Sequence, residues 1–104
     1  WPASSGTITD IRGFGCDLGY TDMTGLTLTT SSLNIDLENN GMTVTEVNHY
    51  LVDLDGMLGA GTGTIDLGSA GANPNAAPDG SSGGYDGTTA KSNLQGKGDT
   101  VTTN

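Results

Sequence analysis

The chain has 104 residues, is 33% hydrophobic and 5% aromatic, and carries 18 glycines and a formal net charge of −9. That length is one domain, and the small apolar share predicts either partial disorder or stabilisation by a partner. The acidity excludes nucleic-acid backbones and anionic lipid surfaces as partners, and no apolar run is long enough to anchor the chain in a membrane by itself.

The chain starts at Trp1-Pro2. With a Ser/Thr/Gly/Asn-rich, lysine-poor composition, this start predicts an exported, processed protein of the periplasm, the cell surface or an extracellular filament. "SGTITDI" (Ser5 to Ile11) reads as a short strand and "RGFGCDLGY" as a loop. Cys16 is the lone cysteine, which excludes an internal disulfide, and it is expected to sit as a small buried hydrophobe beside Phe14. Leu26 and Leu28 occupy even positions and Leu33, Ile35 and Leu37 odd ones, so a turn or bulge is expected within Thr29 to Ser32.

In "LNIDLENNGMTVTEVNHYLVDLDG", Leu33, Ile35 and Leu37 alternate with Asn34, Asp36 and Glu38, the period of a half-buried strand. Asn40-Gly41 predicts a type I′ hairpin turn that sets Leu37 against Val44 and Ile35 against Glu46. On the second arm Val44, Tyr50, Val52 and Leu54 keep the even register while Val47 and Leu51 break it. That arm is either buried on both faces or bent at a bulge, and a short helix over Thr45 to Leu54 competes with it. "GTGTIDLG" offers one more weak strand.

From Ser69 to Asn104 the chain is rich in Gly, Ser and Asn, with turn signals at Pro74, Pro78 and Asp79-Gly80. It is expected to lie extended on the head or on a neighbouring subunit, with "DTVTTN" as a possible closing edge strand. The predicted fold is thus mainly β. Residues 1–68 form a small antiparallel sheet with the Asn40-Gly41 hairpin, residues 69–104 form an extended segment, loops are long and there is little or no helix.

Chemistry-bearing patterns are sparse. His49 has no nucleophile or orienting carboxylate marked in the sequence, "DLDG" lacks the later oxygen ligands of a calcium loop, and "GAGTG" lacks the lysine and helix of a phosphate loop. There is no haem motif, and Trp1, Phe14, Tyr20, Tyr50 and Tyr85 are scattered along the chain. The expectation is no enzyme, with no catalytic, cofactor or metal residues.

The run from "WPASSGTITDIRGFGCDLGY" through "LNIDLENNGMTVTEVNHYLVDLDGMLGAGTGTIDLG" resembles the C-terminal, globular-head chain of a two-chain, split type IV pilin of electroactive metal-reducing bacteria. It departs from ordinary type IV pilins in lacking the apolar N-terminal helix and the glutamate that follows the processed start. The resemblance implies a structural pilus subunit whose partners are a short helical N-terminal pilin chain and other copies of itself. The partner helix would cover the apolar face of Leu33, Ile35, Leu37, Val44 and Val52. The alternatives are a β-rich phage or virus decoration protein and a secreted surface-binding module.

Overall fold

The computed structural model describes residues 6–68 and 71–104, so the start of the strand expected from Ser5, and Trp1-Pro2, lie outside the described residues. Strands β1 (Asp10–Arg12), β2 (Asn34–Asp36), β3 (Thr64–Asp66) and β4 (Thr100–Thr102) form one sheet in the order β1-β2-β3-β4, every neighbouring pair parallel. Helix α1 (Val44–Met57) connects β2 to β3, and α2 (Gly87–Gly96) connects β3 to β4 after a single 3-10 turn. The expected antiparallel, nearly helix-free fold is therefore overturned. Parallel neighbours cannot be joined by a two-residue turn and need a long crossover, and the two helices supply two of the three.

The period explains the error at the second arm. Val47, Tyr50, Leu51 and Leu54 are all buried, a spacing of three and four that lines one side of a helix. The "broken" alternation was a helical stripe sampled at the wrong period. Its start is marked by a capping box: Thr43 Oγ1 accepts from the Glu46 amide (3.2 Å) while Glu46 Oε1 accepts from the Thr43 amide (3.0 Å). Its end is held by a lysine from elsewhere: Lys97, just past α2, donates to Asp55 Oδ1 (2.6 Å), Asp55 O (2.6 Å) and Leu58 O (2.9 Å).

No hairpin forms at Asn40-Gly41. The left-handed angles fall on Asn39 (φ 59) and Gly41 (φ 66), while the Asn40 side chain turns inward and is 2% exposed. The phase break expected near Thr29 to Ser32 coincides with a bend over 30–32 in which Ser32 has φ 62.

On the inner side of the sheet, Ile11, Ile35, Ile65 and Val101 lie in equal register and form one apolar row. Leu33, Leu37 and Leu67 flank it, and α1 and α2 close over it with Val47, Tyr50, Leu51, Leu54, Ala90 and Leu94. The stretch expected to drape as an extended segment thus supplies a helix and the last strand. The molecule is a stack of coils: strand, turn, return segment, next strand.

Two buried asparagines tie each coil to the one before it. Asn40 Oδ1 accepts from the amides of Cys16 (2.9 Å) and Leu18 (3.0 Å), and its Nδ2 donates to Gly13 O (2.9 Å) and Leu37 O (2.9 Å). One coil later, Asn75 Oδ1 accepts from the amides of Asn40 (3.1 Å) and Met42 (3.0 Å), and its Nδ2 donates to Leu37 O (2.9 Å) and Leu67 O (2.9 Å). These bonds pair turn backbone that the packing removes from water.

Candidate binding face

An all-parallel sheet is ordinarily covered on both faces. Here the strands read exposed-buried-exposed or half-buried equivalents, so one face is packed and the other is polar and open. Two rows of side chains cross the open face in register: Asp10, Asn34, Thr64 and Thr100, and then Arg12, Asp36, Asp66 and Thr102.

Asp10 is supported by Arg12 Nε (2.9 Å) and Asn34 Nδ2 (3.2 Å), and the Arg12 hydrogen bond chiefly holds its carboxyl below the ordinary range. Beside it, Asp36, Glu38 and Asp66 bring one carboxylate oxygen each within 4.8 Å of one another. Asp66 Oδ1 accepts the Gly68 amide (2.9 Å), whereas Asp36 Oδ1 is shielded from water and has no hydrogen-bond donor. The negative charge of Asp66, then loss of water, then Asp36 push the Glu38 carboxyl above its ordinary value. Among the described residues the Lys/Arg ion pairs are Arg12–Asp10 and Lys97–Asp55, so no lysine or arginine forms an ion pair with this triad; Arg12, beside Asp36 in the same row, acts on it only through its charge at longer range. Like charges on neighbouring strands cost stability. An incoming ammonium or guanidinium group would relieve that cost, and hard cations take the same oxygen donors.

The residues expected to face a partner lie elsewhere. Leu33, Ile35 and Leu37 are buried on the inner side of the sheet; Val44 and Val52 are half-buried on α1 and do not oppose them across a hairpin. Asn40 is an internal tie and Gly41 part of the turn into α1. Cys16 is exposed, not buried, with Phe14 beside it 58% exposed.

The scattered aromatics are partly gathered by the fold. On α1, His49 is sandwiched between Tyr20 (centroids 3.6 Å) and Tyr85 (4.2 Å), and the Tyr20 hydroxyl donates to Asp53. Burial, then the Asp53 carboxylate, raise the Tyr20 phenol well above its usual range. This stack pins two loops onto α1. Asp53 Oδ1 lies 3.7 Å from His49 Nε2, and the described residues enclose no pocket.

The acidic triad had a legible signal. "NIDLENN" and "TIDLGSA" share Ile-Asp-Leu, which places Asp36 and Asp66 at one position of two coils. "ITDIRGFGCDL" and "SLNIDLENNGM" likewise align Cys16 with Asn40. A search for internal repeats exposes both pairs. No helix among the described residues is long and apolar enough to cross a membrane. Comparison with protein-family models, curated proteins and solved structures returns no match, so the functional reading rests on the chain's own geometry.

Proposed function

We propose that this chain is a non-catalytic binding module of the leucine-rich-repeat type, which takes a cationic segment of a partner protein on the open face of its sheet. The repeated pattern of apolar strand positions followed by Asn or Cys, and the parallel coil stack, support the architecture. The observation that carries the binding role is the convergence of Asp36, Glu38 and Asp66 on the uncovered face, where among the described residues none of the three has an ion-pair partner and Arg12, beside Asp36, is drawn to Asp10. Charge complementarity selects a lysine- or arginine-bearing partner and disfavours acidic ones.

The pilus-subunit expectation draws its physical support from an apolar face left for a separate helix. In this fold α1 and α2 already fill that face, so the support passes to the module reading.

Titration of the isotope-labelled chain with an oligolysine peptide tests the reading by NMR. Amide shifts are expected to concentrate at residues 34–38 and 64–68, and the Asp36→Asn/Asp66→Asn double variant should bind about tenfold more weakly. Shifts spread evenly over Asp22, Asp55 and Asp79 as well, or equal affinity in the variant, would show attraction by net charge alone and overturn it.

A further inference from the structure

Asn40-Gly41 is the only asparagine-glycine pair in the chain. In such a pair the glycine nitrogen can attack the asparagine Cγ, because a residue without a side chain leaves the approach unhindered. A bond forms between Gly41 N and Asn40 Cγ, and the Cγ–Nδ2 bond breaks. The Nδ2 nitrogen leaves as ammonia, taking up the proton that Gly41 N gives up. Water then opens the resulting succinimide at either of its carbonyls and leaves aspartate or isoaspartate. The net change is asparagine plus water to acid plus ammonia, with no oxidant or cofactor consumed.

The folded chain blocks both steps. Asn40 is buried, so the water of the second step is kept out. Its Oδ1 is held by the amides of Cys16 and Leu18, and its Nδ2 donates to Gly13 O (2.9 Å), Leu37 O (2.9 Å) and Glu38 O (3.2 Å). The nucleophile is engaged as well, since the Gly41 amide donates to Asn73 O (2.8 Å). To react, the side chain must leave the turn of the coil that begins with β1 and swing onto its own next amide. That coil carries no helix, and the amides of Tyr20 and Thr21 in it take their acceptors from Glu46 and Tyr50 of α1. Segments held in this way open locally at lower free energy than the core.

We infer that Asn40-Gly41 is a modification site kept latent by the fold and released when the β1 coil opens, so that deamidation turns a reversible opening into a permanent one. The product cannot remake the tie. An aspartate at position 40 sets a charged oxygen against the Gly13, Leu37 and Glu38 carbonyls that Nδ2 served, in a place closed to water. Isoaspartate also lengthens the backbone by a methylene between β2 and the Thr43 cap of α1.

Peptide mapping by mass spectrometry on the full chain, aged in mildly alkaline buffer, tests this. Conversion at Asn40 is expected to be at least about tenfold slower in native buffer than in urea at the same pH. Glu46→Ala removes the acceptor of the Tyr20 amide and should raise the native rate about fivefold. Lys97→Met removes the donor to Asp55 and Leu58, away from the β1 coil, and should leave the rate within about twofold of the parent. Urea melts place both variants on one scale of global stability. In the deamidated chain, separated by its added charge, hydrogen exchange should find residues 13–21 unprotected while α1 keeps its protection. Equal rates in native buffer and urea, no acceleration by Glu46→Ala, equal acceleration by both variants, or native protection of residues 13–21 after deamidation would each overturn the proposal.

Discussion

The first coil, from Ile8 to Leu28, and the second, from Leu33 to Met57, begin with the same kind of strand and end differently. The second builds α1 over its strand and hides Leu37 and Asn40. The first has Gly13 where the second has Leu37 and Cys16 where it has Asn40, forms no helix, and leaves Phe14, Cys16 and Leu18 exposed. Its backbone is satisfied from its neighbour: Gly13, Cys16 and Leu18 by Asn40, Tyr20 by Glu46 Oε2 (2.7 Å) and Thr21 by the Tyr50 hydroxyl (2.8 Å). The contrast teaches that in a stack of coils a weak unit can be held by side chains of the next one, so local stability need not follow local composition.

The largest expected effect breaks that dependence at its centre. Asn40→Ala removes a buried side chain and strands the Cys16 and Leu18 amides together with the Gly13 and Leu37 carbonyls. A loss on the order of 3 kcal/mol is expected in denaturant unfolding. Amide hydrogen exchange should show residues 13–21 losing protection before α1 does; uniform loss over both coils would mean that the first is not the dependent one.

A smaller effect separates the two roles of Glu46, which caps α1 and also holds Tyr20. Glu46→Ala should cost about 1 kcal/mol through the cap, with faster exchange of the Tyr20 amide. The Thr43 amide chiefly, and the Tyr20 amide after it, hold the Glu46 carboxyl below its ordinary value against the opposing effect of burial. A lowered folded pKa gives stability that is present above the unfolded value and lost as pH falls through the folded one. The difference in melting temperature between parent and variant should therefore be full at neutral pH and shrink below about pH 4. A constant difference across that range would assign the effect to packing.

The smallest effect sharpens the comparison by giving the first coil the residue of the second. Cys16→Asn sits on an exposed site with no earlier coil among the described residues to tie, so stability should change by no more than about 0.5 kcal/mol. A clear gain in thermal unfolding would show that the first coil does use that position.

Part of this was written in the chain. Alternation of Leu33, Ile35 and Leu37 marks β2, and the change of phase after Leu28 marks the bend that precedes it. Thr43-Val44-Thr45-Glu46 carries the cap of α1, and the repeated Ile-Asp-Leu carries the acidic pair of the open face. These signals are local, since each depends on residues within one or two turns of one another. Strand direction was not local. Asn40-Gly41 is chemically fit for a hairpin, yet the helix after it carries the chain back so that β3 lies parallel to β2, and the Asn40 side chain is drawn inward by unpaired backbone of the preceding coil and of its own. The same holds for the 69–104 stretch: "TTAKSNLQG" has little apolar content, but Ala90 and Leu94 suffice for a helix once the sheet offers a surface to bury them on. Composition, charge and the single-strand patterns were determined by the sequence alone. The parallel order, the filling of the apolar face from within and the meeting of Asp36, Glu38 and Asp66 were decided only by tertiary packing, because each depends on which distant segments share the burial of one core.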